Sequence, residues 1–146
     1  MPDLPLHRLV ETWRRVSATR ARREKTAALA ALLRALAPAE VPLVVPLLCG
    51  RTRHDPLGVG PATLEAAWPA SAADAPSLTV ADADVGFARI AAAAGPGSGA
   101  ERTRLLRDLL ARATRDEQEF LARLVLGELR QGALEAIGRA SCRERV

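Results

Sequence analysis

The sequence has no tyrosine, one methionine, two histidines and two cysteines, and its aromatic residues are two tryptophans and two phenylalanines. Two cysteines, Cys49 and Cys142, are too few for a disulfide framework, and no Cys/His spacing is typical of a zinc site. With so few aromatics, a core must be built from Leu, Val and Ala. This mixture favours helices over a sheet.

Long apolar runs are also missing. None approaches the roughly 18 residues needed to cross a bilayer, and Met1 does not begin the basic and apolar segments of a secretory signal. We therefore expect a monomeric protein in the reduced cytoplasm, without membrane contact.

Lysine is nearly absent: Lys25 stands against twenty arginines, and the formal net charge is +4. Lys25 lies in the charged run RREK and is followed by Thr-Ala-Ala, which does not resemble an activated lysine. The basic excess fits either a solvated surface or a polyanionic partner such as nucleic acid. Walker-type phosphate loops, nucleophile elbows and metal-binding acidic clusters are lacking as well.

Helical periodicity dominates what is present. Leu6, Leu9, Val10, Trp13 and Val16 recur on one helical face. Thr79 and Asp82 predict the start of a helix whose Val85 faces the core, and TRDE from Thr114 predicts a capping box. The chain predicts an all-α, compact domain of six or seven antiparallel-packed helices. The predicted helices are 6–16, 22–37, a distorted one within 37–50, 62–67, 80–94, 101–113 and one opening at 114.

The connections are rich in Gly, Pro and polar residues. Residues 51–61 read as a loop, residues 68–77 as a polar linker and residues 95–99 as a tight inter-helix loop. In GPGSGAER, from Gly95 to Arg102, the glycines let a ligand approach a helix N-terminus, as in phosphate sites. The alternative is a plain turn capped by Ser98.

A second glycine segment, GELRQGA, begins at Gly127. Close helix packing is one explanation for its glycines. The other is a helix that ends near Arg130, with Gly132 as its left-handed C′ residue and a new helix from Ala133. Such a corner would expose backbone N–H groups beside Arg130, where a phosphate could bind.

Three stretches together resemble the N-terminal DNA-binding domain of bacterial ATP-dependent DNA ligases. They are LLCG…LGVGPATL, GPGSGAERTRLLRDLLARAT…EQEFLARLVLGELRQGA and LGELRQGALEAI, preceded by a TR…EK segment at residues 19–25. The resemblance covers about residues 4–137, and its most specific motif is GELRQG.

The resemblance implies an all-helical domain that grips nicked duplex DNA through the sugar–phosphate backbone, during repair, replication and recombination. It also implies nucleotidyltransferase and OB-fold domains as partners, with ATP and Mg²⁺ used by the full-length enzyme. The family's Lys-x-Asp-Gly motif is absent from this sequence. We therefore expect DNA binding without catalysis, with no catalytic, metal or cofactor residues in this chain.

The prediction assigns residues 1–137 to this DNA-binding domain. It assigns residues 138–146, GRASCRERV, to a truncated or non-native tail. The alternative function is a helical protein–protein adaptor whose glycines serve only packing. The predicted DNA-binding residues are Arg20, Arg51, Arg53, Gly95, Gly97, Ser98, Arg102, Gly127, Arg130, Gln131 and Gly132.

Overall fold

The computed structural model describes residues 4–129, and its regular structure there is helical. Strand pairing in this range is limited to one isolated bridge, between Pro5 and Thr79. The all-α prediction is confirmed. The seven α-helices of the described range are α1 (Leu6–Ala18), α2 (Arg22–Arg34), α3 (Val41–Leu48), α4 (Pro61–Ala67), α5 (Val80–Ala92), α6 (Ser98–Ala111) and α7 (Arg115–Val125), with a 3₁₀ turn at Pro38–Glu40 before α3.

The first helix buries the face that its periodicity predicts. Its five buried residues occupy one stripe, which packs where α1 meets α2, α5 and α7. Polar and charged residues occupy the opposite side, so burial of the apolar stripe favours this rotation of the helix. The buried residues are Leu6, Leu9, Val10, Trp13 and Val16.

The centre of the molecule is built around α6, which packs against α4, α5 and α7. Phe87 of α5 and Phe120 of α7 are both 1% exposed, and Leu106 and Leu110 of α6 are fully buried. These side chains join the second half of the chain to α1 in one continuous core.

Two long-range contacts hold the chain start in place. The amide of Leu6 donates to the carbonyl of Leu78, and that of Val80 to the carbonyl of Leu4, both at 2.9 Å. The buried carboxylate of Glu40 accepts the amides of Leu4 at 2.6 Å and Ala37 at 2.9 Å. A buried carboxylate with two amide donors is satisfied, so it fixes the 3₁₀ turn against the N-terminal segment.

Several local predictions are wrong. Val85 is 50% exposed, and α5 instead buries Val80, Ala83, Phe87 and Ile90. Alanine-rich helices offer more than one apolar face, so tertiary packing chose between them.

The segment at residues 68–77 connects α4 to α5, as predicted for a polar linker, and it is also bonded to the helical core. The Ala73 amide donates to the Ala113 carbonyl at 2.9 Å. The Gln118 amide group donates to the Leu110 carbonyl at 2.9 Å and to the Ser71 carbonyl at 3.4 Å.

The capping box at Thr114 and the N-cap at Thr79 are confirmed, and Thr79 also forms a capping box with Asp82. The hydroxyl of Thr79 accepts the amide of Asp82 at 3.0 Å, and the hydroxyl of Thr114 accepts that of Glu117 at 3.3 Å. In return, the Glu117 carboxylate accepts the Thr114 amide at 2.8 Å. Each box satisfies two backbone donors at a helix start.

Replacing Thr114 with alanine should lower the free energy of unfolding of the 146-residue chain by about 1 kcal/mol, the usual effect of losing an N-cap. Denaturant unfolding measures it. Thr103 provides a matched control, because its hydroxyl bonds the Gly99 carbonyl within α6 and caps no helix. Thr103→Ala should leave stability unchanged or slightly raised; an equal loss in both variants would contradict the capping role.

Among residues 4–129, no single helix is long and apolar enough to cross a membrane, and one bent pair, Arg22–Arg34 with Pro38–Leu48, passes by length and composition alone.

Candidate nucleic-acid interface

An open cavity of about 750 Å³ lies where the loop of residues 50–51 and 55–60 meets residues 124–127, which are distant from it in sequence. Residues 50–51 follow α3, residues 55–60 precede α4, and residues 124–127 span the C-terminal end of α7. The LLCG, LGVG and GELRQG motifs each contribute residues to its wall. Motifs that were separate in the sequence are therefore neighbours in space.

The two helix ends at the cavity share one geometry. Gly50 follows α3 with a φ of 84°, and Gly127 follows α7 with a φ of 73°. The Gly50 and Arg51 amides donate to Leu47 and Pro46, as the Gly127 and Glu128 amides donate to Leu124 and Arg123. This is the Schellman motif, which favours glycine at C′ because its φ is positive.

This geometry corrects the predicted end of α7. The helix ends at Val125, not near Arg130, and Gly127 is its C′ residue. The Gly127 amide is used inside the helix end, so it is not an exposed donor for a phosphate. Arg130, Gln131 and Gly132 lie outside the described residues, and their predicted role stays a prediction.

The turn at residues 57–60 supplies unused amides. Leu57 is buried and anchors it, while Gly58 is exposed and has a φ of 73°. Within the described range, the amides of Gly58, Val59 and Gly60 donate to no protein acceptor. The predicted site omitted this turn, although the Gly-x-Gly-Pro pattern of LGVGP could have identified it.

Arg51 and Arg53 begin the loop beside the cavity and have different environments. Arg51 is exposed and lines the cavity, and among residues 4–129 it has no acidic partner within ion-pair distance. Arg53 instead donates twice to Asp84 of α5, at 3.0 and 2.7 Å. The hydrogen bond to Asp84 is the main cause that raises the pKa of Arg53.

Asp84 also faces His54, whose Nε2 lies 3.0 Å from Oδ1 of Asp84. The Asp84 side chain is only 13% exposed, so the pair ties residues 53–54 to α5. Arg53 thus has a built-in anion partner, and its direct contact with DNA stays a prediction.

The glycines of the predicted phosphate loop adopt the left-handed conformation, and phosphate binding by this loop stays a prediction. Gly95 and Gly97 have φ values of 81° and 82°, and α6 begins at Ser98 rather than at Glu101. Ser98 is the first helical residue, and no side chain caps this helix. The first-turn amides of Gly99 and Ala100 donate to no protein acceptor in the described range, as helix geometry requires.

Arg102 connects this loop to the cavity. Its Nη2 donates to the carbonyl of Ala93 at 2.7 Å. Its guanidinium packs against Gly58, where a Cβ would stand 3.1 Å from Nε. The loop before α6 and the turn at residues 57–60 are therefore neighbours.

The other arginines of α6 have internal partners. Arg104 pairs with Glu101, and the hydrogen bond between them raises the pKa of Arg104 and lowers that of Glu101. Arg107 donates to the Ala66 carbonyl at 2.6 Å, and Arg112 lies 3.7 Å from Asp82. Carboxylates partly neutralise the charges of Arg104 and Arg112, whereas Arg107 bonds a neutral carbonyl.

Arg20 is exposed in the connection between α1 and α2, and it is not among the residues that line the cavity. The described residues contain no group of three or more His, Cys, Asp or Glu side chains that could hold a metal ion. The fold and the cavity define an all-helical domain in which glycine turns and arginines meet at one surface.

The family model described as DNA ligase N terminus matches residues 66–139. The chain therefore belongs to the DNA ligase N-terminal family. It is 53% identical over 135 residues to a probable DNA ligase of an Anaeromyxobacter species, which covers 92% of the chain and 26% of that relative. It is 53% identical over 129 residues to a probable DNA ligase of Saccharopolyspora erythraea, covering 88% of the chain and 25% of the relative.

A probable DNA ligase of Rhodococcus jostii is 48% identical over 129 residues, again with 88% of the chain and 25% of the relative covered. The chain spans about a quarter of the length of the curated relatives it matches. The resemblance stated from the motifs is confirmed at the level of the family.

Proposed function

We propose that this chain binds nicked duplex DNA, without regard to base sequence, as the DNA-binding part of an ATP-dependent DNA ligase. The observation that carries the proposal is the meeting of three family motifs at one open cavity, with Arg51 exposed at its edge. Membership of the DNA ligase family favours this partner over the protein–protein adaptor.

The polar groups at the cavity suit a sugar–phosphate backbone. The amides of Gly58, Val59 and Gly60 are short-range donors that carry no base preference. The unused amides of Gly99 and Ala100 belong to the positive end of the α6 dipole, which favours an anion. Arg51 adds a full positive charge. Backbone contacts of this kind suit a protein that must act at any nick.

The chain itself is expected to hold neither ATP nor Mg²⁺ and to ligate nothing alone. Its sequence lacks Lys-x-Asp-Gly, the motif that the family resemblance associates with adenylylation. The nucleotidyltransferase and OB-fold domains of a full-length enzyme would supply that chemistry.

Salt dependence tests the proposal. Nicked duplex labelled with a fluorophore is titrated with the 146-residue chain, and anisotropy gives the affinity. Each arginine–phosphate contact contributes about −0.9 to the slope of log K against log salt, so one contact by Arg51 predicts a loss of affinity of roughly threefold between 50 and 200 mM salt, and each further contact multiplies that loss.

Two nicked duplexes of unrelated sequence should give the same affinity and slope. An affinity that does not change with salt would contradict a phosphate-contact mechanism. A strong preference for one sequence would contradict backbone recognition.

A further inference from the structure

Arg102 occupies a position that differs from that of an exposed phosphate ligand. The side chain leaves the first turns of α6 and is half-buried. One end is held by the bond from Nη2 to the Ala93 carbonyl, and the guanidinium lies against Gly58. Its Nε is buried and has no hydrogen-bond partner within the described range.

A side chain at Gly58 would crowd this contact, and the guanidinium of Arg102 would have to shift by a few tenths of an ångström. A Cβ on Gly58 would stand 3.1 Å from Nε and 3.2 Å from Cζ of Arg102, closer than ordinary van der Waals contact. A rigid, planar guanidinium can lie flat against such a surface, whereas a lysine ammonium is compact and strongly hydrated. The guanidinium of Arg102 is thus partly desolvated where it contacts both the turn at residues 57–60 and the loop before α6.

We propose that Arg102 is a positioning residue, which fixes the turn at residues 57–60 against the loop before α6. This contact fixes the distance between the amides of residues 58–60 and those of Gly99 and Ala100, so that both groups can donate to phosphates of the same DNA backbone. The effect on DNA rests on the proposed function, whereas the contact between the two loops does not.

A double-mutant cycle without DNA tests the contact. Gly58→Ala places a methyl group against the guanidinium and also strains a positive φ. In the Arg102→Gln background only the strain remains. We therefore expect Gly58→Ala to lower the folding equilibrium constant by a larger factor in the parent than in Arg102→Gln. The two factors should differ at least about threefold, a coupling typical of residues in contact.

Gly127 provides the matched control for this cycle. Its φ is also 73°, but a Cβ there would meet no atom of the described residues within 4 Å. Gly127→Ala should therefore cost the same in both backgrounds. Equal losses for Gly58→Ala in both backgrounds would overturn the positioning contact.

Binding of nicked duplex separates positioning from direct phosphate contact. If Arg102 positions the loops, Arg102→Gln and Arg102→Lys both weaken binding about tenfold while the salt slope is unchanged, since amides release no counterions. If Arg102 contacts a phosphate, Arg102→Gln reduces the slope by about one unit and Arg102→Lys restores affinity. That second pattern overturns the proposal.

The two hypotheses fail in different ways. If the parent chain does not bind nicked duplex, the proposed function is wrong, and the cycle measured by unfolding still decides whether Arg102 holds the two loops together. If Arg102→Gln does not fold, Arg102→Lys takes its place in the cycle, because it too removes the planar group from Gly58.

Discussion

Reversing the charge of Arg51 should weaken binding of nicked duplex DNA by about tenfold to hundredfold, the value of a hydrogen bond between charged groups. Its backbone is fixed, because its amide donates to the Pro46 carbonyl at 3.0 Å at the end of α3. Its side chain is exposed at the cavity. Arg51→Glu removes one cationic contact, so the magnitude of the salt slope should also fall by about one unit.

Arg115→Glu is the matched control, since it makes the same change of charge on an exposed arginine. Arg115 begins α7, whereas the cavity borders the other end of this helix, about 15 Å away along its axis. Anisotropy titrations of both variants at several salt concentrations make the comparison. Equal losses of affinity would show that only net charge matters, and would contradict a phosphate contact at Arg51.

Phe120→Ala should lower the free energy of unfolding by about 3–5 kcal/mol, the cost of emptying a buried aromatic site. Phe120 is 1% exposed and lies edge-on to Trp13, with ring centroids 5.6 Å apart and planes at 71°. The pair joins α7 to α1. Because a typical domain is stable by about 5–15 kcal/mol, this variant would lose much of its stability.

Denaturant unfolding of the 146-residue chain measures this loss. Phe120→Leu keeps most of the apolar volume and should cost clearly less than the alanine variant. Glu119→Ala changes the neighbouring residue, which is exposed and pairs with Arg123 at 3.1 Å, and should cost no more than about 0.5 kcal/mol. A loss below about 1 kcal/mol in Phe120→Ala would contradict the central place of the aromatic pair.

Helices with clear apolar spacing or clear capping residues were predicted correctly from the sequence. The buried stripe of α1 follows directly from the spacing of its apolar residues. The boxes at Thr79 and Thr114 were predictable because donor and acceptor lie within four residues of each other. The Gly-x-Gly loop before α6 has the positive φ values that its glycines allow.

The sequence could not decide between two glycines that were equally suited to end the last described helix. GELRQGA has glycines at 127 and 132, and each could serve as a C′ residue. The prediction chose Gly132, whereas α7 ends at Val125 with Gly127 as its C′ residue, and Leu129 is fully buried just beyond it. Leu129 belongs to the common core, which is formed by residues distant in sequence. The helix end that allows its burial could therefore not be read from the local sequence.

The sequence by itself determined the all-α class, most helix starts and the family, because these depend on short periodic patterns and on motifs read along the chain. Only the tertiary structure decided which arginines have partners. Asp84 lies 31 residues from Arg53, and Gly58 lies far from Arg102 in sequence. Ion pairs and loop contacts at such separations arise from packing, and no local pattern encodes them.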